Sequence, residues 1–449
     1  MKIIQAVGWY YPQSIGGTEI YVAGLCKRLQ ASGHTVLIAA PDPTALSEQN
    51  YLHDGLSVYR YPIPPEGTRA EAQEFSPTRG IERFHSWLTT RQPDVVHFHT
   101  FVRGLGVNEV KAAKAAGARV VVTTHSGSLG YICQRGTMMR WGKQVCDGVC
   151  EQVKCASCEL QRRGMPQWLA STIGRIPTAS SQLLFSIPGK MGTALGMSHL
   201  IAHNQVKQRE MLDSVDKFVV LTEWALQAAL SNDLPAEKFS LNRLGLSQDI
   251  VFRKPSPEHK PTGQPVKVGY LGRFEHVKGV VELARSIASL GRDVPVEVEF
   301  RGPVKSGPEQ GIVNEIKRIV GDDPRVTFAP PVSAVEVLDV LAAYDVLCCP
   351  SVCLEGGPTV AIEAHAVGTP VIGSRIGGLA ELVTDGVNGK LVEPGDWQAL
   401  ASLITEIATD PAGTIDSWRR FLPSARTMDE ITADYLSLYS SLKPATSLR

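Results

Sequence analysis

Short runs of β-branched and other apolar residues recur along the chain, separated by segments with apolar positions at helical spacing. The runs predict strands at 3–7, 36–40, 95–99, 120–124 and 218–221 in the first half. The second half repeats the pattern at 266–271, 296–301, 325–328, 345–349 and 370–373. A helix over 18–31, stopped by Gly33, joins the first two runs. Strand and helix alternating in this way predict parallel α/β construction. Between the halves, 254–265 reads KPSPEHKPTGQP, whose prolines suit neither helix nor strand, so it is expected to be a linker. The pattern thus predicts an N-terminal domain over 1–253 and a C-terminal domain over 266–425. A last helix within 426–449, set apart by Leu422-Pro423-Ser424, is expected to cross back to the first domain. Two doubly wound, Rossmann-like domains would face each other across a cleft at the carboxyl ends of their sheets.

Length and charge narrow the classes. At 449 residues the chain is about three times the usual domain size, which favours two full cores over one. Lys+Arg and Asp+Glu both number 45, so the basic excess expected of a nucleic-acid binder is missing and no such partner is expected. No stretch nears the ~18–20 consecutive apolar residues of a spanning helix. Met1-Lys2 and the apolar run after it read as a buried strand rather than a signal peptide. Five of the nine cysteines crowd into 133–158, unlike a secreted disulfide framework, so a cytoplasmic location is expected.

One region, about 131–210, breaks the alternation and reads as an insertion. Cys146, Cys150, Cys155 and Cys158 have spacings compatible with one structural Zn²⁺ held by thiolates, with Cys133 as the alternative ligand. Gly148 and Lys154 suggest a turn-rich, non-helical setting. An iron–sulfur cluster, reduced thiols or two disulfides remain open alternatives. From Leu160 to Arg209 there is no acidic residue, while Arg162, Arg163, Arg175, Lys190, Lys207 and Arg209 lie among Trp168, Leu183, Phe185 and Met191. This stretch is either a patch for the inner face of a membrane or a packed insertion with ordinary surface arginines.

The densest chemistry lies at 350–364, PSVCLEGGPTVAIEA. Gly356-Gly357 followed by Pro358 at a first helical position would leave the N–H groups of Gly357 to Val360 aimed at a ligand, with the helix dipole behind them. Glu355 in the loop and Glu363 in the helix, roughly 10 Å apart, could bracket a diphosphate between a sugar and a ribose. Glu355 and Glu363 with Gly368-Thr369-Pro370-Val371-Ile372, Gly377-Gly378, Glu381 and Asn388-Gly389 resemble the retaining glycosyltransferases of family 4, which have the GT-B fold. Gly272-Arg273-Phe274 with Lys278-Gly279 is similar to that family's donor loop, and Gly16-Gly17-Thr18-Glu19 to its N-terminal glycine loop.

The resemblance implies a hexosyltransferase that takes a nucleoside-diphosphate sugar and delivers the sugar, with retention, to a glycan or lipid-linked acceptor. It implies transfer without a metal or other cofactor. Arg273 and Lys278 would hold the diphosphate, Glu355 the donor sugar and Glu363 the ribose. Gly16, Gly17, Gly272, Gly356, Gly357, Pro358 and Thr359 would line the donor site, and His125 would touch the transferred sugar. His99 is a second candidate, whereas His97 reads as a core histidine. Two other classes remain: a nucleotide-sugar epimerase of the same fold, and a non-catalytic binding protein built on the cysteine module.

Overall fold

The computed structural model of the chain describes residues 1–14, 16–125, 132–133, 136–141, 144–246, 264–304 and 307–443. It forms two compact units. The first comprises Met1–Trp141, Cys146–Arg243 and Thr427–Arg449, and the second Gly142–Val145 and Leu244–Arg426. The expected linker lies outside the described residues apart from Gln264 and Pro265.

In the second unit a six-stranded sheet runs in the order Val326–Ala329, Val296–Arg301, Val266–Leu271, Val346–Cys349, Val371–Ser374, Gly389–Val392. Every pair is parallel. Numbered by sequence this is 3-2-1-4-5-6, the doubly wound order whose direction reverses between the strands Val266–Leu271 and Val346–Cys349. The central strands are covered on both faces, which is why Val346–Cys349 reads as an unbroken apolar run. Val280–Ser289 shows how a covering helix is encoded. Val280, Leu283, Ala284 and Ile287 fall at helical spacing, and all are buried in the core formed by Val268, Phe300 and Ile404.

The first unit carries eight strands in the order Phe239–Leu241, Lys217–Val220, Arg119–Thr124, Val95–Phe98, Lys2–Ala6, Thr35–Asp42, Leu56–Pro62, Gln49–His53. All pairs are parallel except the last. The sequence pattern did not anticipate this antiparallel edge. Its strands are joined by Asp54-Gly55, both at positive φ (50° and 77°), as a two-residue hairpin turn demands. The direction of this sheet reverses between Lys2–Ala6 and Val95–Phe98.

The helix Met428–Ser441 belongs to this first unit. Thr427 and Glu430 cap it reciprocally, and it buries Met428, Ile431, Tyr435 and Tyr439. Arg28 of the helix Gly17–Ala31 pairs with Asp429 at 2.6 Å. The insertion folds as consecutive helices, Gln152–Arg162, Gln167–Gly174, Thr178–Phe185, Gly189–Leu195 and Met197–Ser214, around Ala156, Leu160, Ala170, Leu200 and Ile201. Pro166, Pro177 and Pro188 each open one of the three short helices.

Candidate functional site

In the second unit the loops that follow the two strands flanking the reversal are locked together through glycine. Gly279 has φ +69°, and a Cβ there would strike the Pro350 carbonyl oxygen, so the end of the 272–279 loop can rest directly on the start of the 350–358 loop. The Val352 N–H donates to the Val277 carbonyl at 2.9 Å across the same seam. Lys278 is thereby set beside Glu355, Nζ to Oε1 at 2.8 Å, and the Ser351 hydroxyl donates to the same oxygen at 2.9 Å. Arg273 is mostly exposed and pairs with Glu275 at 2.7 Å. A surface pair of this kind is worth about 0–1 kcal/mol, so the guanidinium can turn to a phosphate at little cost.

The glycines after Glu355 have a second role. Gly357 takes φ +126°, and a Cβ on Gly378 would lie 2.6 Å from the Gly357 Cα. The Gly378 N–H donates to the Glu355 carbonyl at 2.9 Å, so Gly377-Gly378 is the floor on which the 355–357 loop lies. Helix Thr359–Ala366 follows at once, and its first turn presents N–H groups that lack intrahelical partners by construction. Pro358 precedes the helix as its cap residue instead of occupying the first helical position. Its ψ of 115° is extended, which is the correction to the sequence expectation. Glu363 is half-buried in this helix, and burial pushes its carboxyl up from 4.5 to about 7. Other motif residues are structural. The Thr369 hydroxyl donates to the Leu341 carbonyl at 2.8 Å, and Asn388 Oδ1 accepts from the Thr384 N–H at 2.7 Å.

In the first unit, Gly16 and Gly17 stand at the start of helix Gly17–Ala31, after the strand Lys2–Ala6. Gly16 is extended, and Gly17 has open space where a side chain would be. Glu19 folds back over this start and accepts from the Ser14 hydroxyl at 2.6 Å. His99 and His125 follow the ends of two neighbouring strands, Val95–Phe98 and Arg119–Thr124. The His99 Nδ1 and His125 Nε2 atoms are 3.1 Å apart. Burial lowers the His125 imidazole to about 4, and it lowers His97 and His99 well below their ordinary value. All three rings are therefore neutral at physiological pH. His97 is a fully buried core residue. Gln5, Tyr21 and Tyr439, which reach this cluster, carried no sequence signal beyond the spacing of Tyr435 and Tyr439 on one helix face.

The cysteine cluster lies in the first unit. Cys133, Cys146, Cys155 and Cys158 line one cavity, and the Cys155 and Cys150 thiols are hydrogen-bonded to each other. The setting is irregular around Cys146, Gly148 and Cys150, as expected, but helical from Lys154 to Cys158, where a non-helical one was expected. Helix Gln152–Arg162 carries both Cys155 and Cys158, because its sequence has no glycine or proline and places Ala156 and Leu160 on the buried face. Among the described residues no three His, Cys, Asp or Glu side chains are arranged to hold a metal. All nine cysteines are free thiols. Cys26, Cys348 and Cys349 are buried in the cores, which Cys353 is not. Cys353 is half-buried, with its thiol toward Glu355 at 3.7 Å.

Two wound parallel α/β units, each with a glycine-bearing loop at its strand reversal, define the GT-B glycosyltransferase fold. The family model described as "Glycosyl transferases group 1" matches residues 252–427, and that described as "Glycosyl transferase 4-like domain" matches residues 16–152. The chain belongs to this family of glycosyltransferases. It is 28% identical over 299 residues to a D-inositol 3-phosphate glycosyltransferase of Corynebacterium kroppenstedtii, covering 60% of this chain and 65% of that relative. A Streptomyces avermitilis protein of the same name is 26% identical over 417 residues, covering 88% of this chain and 76% of its own. Sucrose-phosphate synthase from Thermosynechococcus elongatus superposes with TM-score 0.64 at 21% identity, over 98% of both chains. HepE of Anabaena, solved with UDP and glucose, gives 0.61 at 16% identity, over 98% of this chain and 100% of its own. At these identities the solved structures show the fold.

The raised carboxyl of Glu363 has a signed consequence. Its neutral form is favoured on folding, so the associated stability is full below about 4.5 and is lost as pH rises through about 7. Glu363→Gln, which stays neutral, is expected to gain stability over the wild type across that window. Urea unfolding at a series of pH values measures the difference, and a difference independent of pH would contradict the burial of this group.

Proposed function

We propose that the chain is a retaining glycosyltransferase that moves a sugar from a nucleoside-diphosphate donor to a glycan or lipid-linked acceptor, with no metal needed for the transfer. The second unit would hold the donor and the first would serve the acceptor. The observation that carries this reading is the placement of Lys278 beside Glu355, with Arg273 on the same loop as Lys278, at the strand reversal of a 3-2-1-4-5-6 sheet, with a helix N-terminus following Glu355. Negative charge grows on the departing diphosphate as the glycosidic bond breaks. Fixed cations and helix N–H groups lower the barrier by being in place before that charge appears. Arg273, Lys278 and the N–H groups of Gly357 to Thr359 would take the diphosphate. Glu355, oriented by Lys278 and Ser351, would take the donor sugar's hydroxyls, and Glu363 the ribose. His125 would touch the transferred sugar.

The expected experiment is thermal unfolding with UDP, GDP, ADP and dTDP. A nucleotide at about 100 times its Kd adds about 2.7 kcal/mol of stability. One nucleotide should stabilise the wild type, and Glu363→Ala should lose most of that gain. Glu355→Gln should bind the nucleotide and fail to turn the donor over. No stabilisation by any of the four would refute the reading.

Two finer assignments go with it. A structural Zn²⁺ on the thiolates of Cys146, Cys150, Cys155 and Cys158, with Cys133 as alternative, is supported by the gathering of Cys133, Cys146, Cys155 and Cys158 around one cavity, with Cys150 hydrogen-bonded to Cys155. Since no three thiols are arranged as ligands in this structure, binding would draw them together, and zinc would brace the insertion. Elemental analysis of the purified protein is expected to find about one zinc per chain, reduced in Cys155→Ser; absence of zinc under metal-replete expression would reject it.

Contact with the inner face of a membrane is supported by the exposed side chains of Trp168, Leu183 and Met191 in the acid-free stretch, with Arg163, Arg175 and Lys190 exposed beside them in sequence. Among the described residues no helix is long and apolar enough to cross a membrane. Sedimentation with anionic vesicles should carry the wild type down more than Trp168→Ser with Leu183→Ser. Equal behaviour of the two proteins would remove the assignment.

A further inference from the structure

Within the first unit, a continuous line of hydrogen bonds runs from the last helix to His125. Gln5, in the strand Lys2–Ala6, is fully buried. Its side-chain carbonyl oxygen lies 2.5 Å from His99 Nε2, and its amide nitrogen reaches the Tyr439 hydroxyl at 3.5 Å. The Tyr439 hydroxyl is also 2.7 Å from His97 Nδ1, and His97 Nε2 is 2.7 Å from the Thr123 hydroxyl. His99 Nδ1 in turn meets His125 Nε2 at 3.1 Å. The edge of Tyr21 packs against both rings, with centroids 5.0 Å from His125 and 6.2 Å from His99.

The proton positions follow from donor and acceptor chemistry. A carbonyl oxygen only accepts, so the proton between Gln5 and His99 sits on His99 Nε2. A neutral imidazole has one N–H, which leaves His99 Nδ1 as an acceptor. The contact with His125 then needs a proton that only His125 Nε2 can provide. The remaining nitrogen of His125, Nδ1, carries the lone pair. The other end of the Gln5 amide completes the line in the same sense. It donates to Tyr439, which then spends its own O–H on His97 and leaves the His97 Nε2–H for Thr123. Turning the amide over would reverse both branches at once.

We propose that Gln5 and His99 are positioning residues which lock His125 as its Nε2–H tautomer, so that Nδ1 is an obligate acceptor for a hydroxyl of the transferred sugar. Tyr439 secures the Gln5 amide and makes the last helix part of the arrangement. The sugar's identity as ligand rests on the glycosyltransferase reading above, whereas the tautomer does not. An acceptor aimed at one hydroxyl favours donors that place a hydroxyl there and disfavours deoxy analogues at that carbon.

The test is two-bond ¹H–¹⁵N spectroscopy of the histidine rings in the full chain, with His125 assigned from its loss in His125→Gln. The wild type should show His125 protonated at Nε2. Gln5→Glu is the informative variant, because a carboxylate partner stabilises an imidazolium at His99. The His99 Nδ1–H would then donate to His125 and drive the His125 proton to Nδ1. This variant should show the inverted tautomer and a roughly tenfold or greater fall in kcat, the scale of one lost hydrogen bond, with donor KM little changed. His99→Phe, which keeps a ring but removes the acceptor, should show a mixture of tautomers. A wild-type His125 protonated at Nδ1, a tautomer that Gln5→Glu leaves in place, or an inverted tautomer with unchanged kcat would each overturn the proposal. If no nucleotide stabilises the chain, the donor reading fails by itself while the wild-type spectrum still decides the tautomer.

Discussion

Backbone lying directly on backbone, with glycine at each contact, is the constraint from which the candidate donor loops take their shape. Gly279 lets the 272–279 loop touch Pro350, and Gly378 lets the 355–357 loop lie on helix Gly377–Leu382. Neither contact tolerates a Cβ. With the two loops in backbone contact, Lys278 and Glu355 are held side by side at 2.8 Å. The entropy of ordering these groups is met in folding and does not recur when a ligand arrives. The same economy explains why so many glycines in this half of the chain fall near the strand ends, where the sheet hands over to the loops.

The two units solve a common problem with opposite materials. The second presents charge: an exposed Arg273, a Lys278–Glu355 pair and a carboxyl, Glu363, held near neutrality by burial. The first presents neutral rings joined to a buried amide and a tyrosine hydroxyl. Charge suits a diphosphate, and neutral directional groups suit sugar hydroxyls. In the first unit, burial does the tuning, since it is the largest influence on His97, His99 and His125 alike.

Much of the fold was legible because strands buried on both faces must be apolar throughout, and parallel strands must be spaced by helices. Strand positions were readable to within about two residues wherever that rule holds. The edge hairpin escaped because Gln49–His53 is largely exposed and polar and because the buried strand Leu56–Pro62 is interrupted by Ser57 and Arg60, although Asp54-Gly55 announced the turn between them. Gly389–Val392 and Phe239–Leu241 escaped because they are too short to show a run. Of the candidate site, the glycines, Arg273, Lys278, Glu355 and Glu363 were legible because they cluster in sequence around two turns. His99 and His125 were named as well, at the ends of two strands, but the line joining them through Gln5 to Tyr439 was not, because Gln5 is an ordinary residue in an ordinary strand. Gln5 and Tyr439 are 434 positions apart, and no local pattern can report a contact of that separation.

The membership of helix Met428–Ser441 in the first unit also bears on the order in which the chain can be completed at the ribosome. Domains usually finish in the order they are synthesised. Here the second unit is finished, from Leu244 to Arg426, before the last helix of the first has been made. Until Tyr435 and Tyr439 emerge, Gln5, His97 and Thr123 lack their hydroxyl partners, and the groove beside helix Gly17–Ala31 is bare. The unit begun first is thus closed only after the second has been made, and its histidine cluster gains its tyrosine partners only with the helix that follows the second unit.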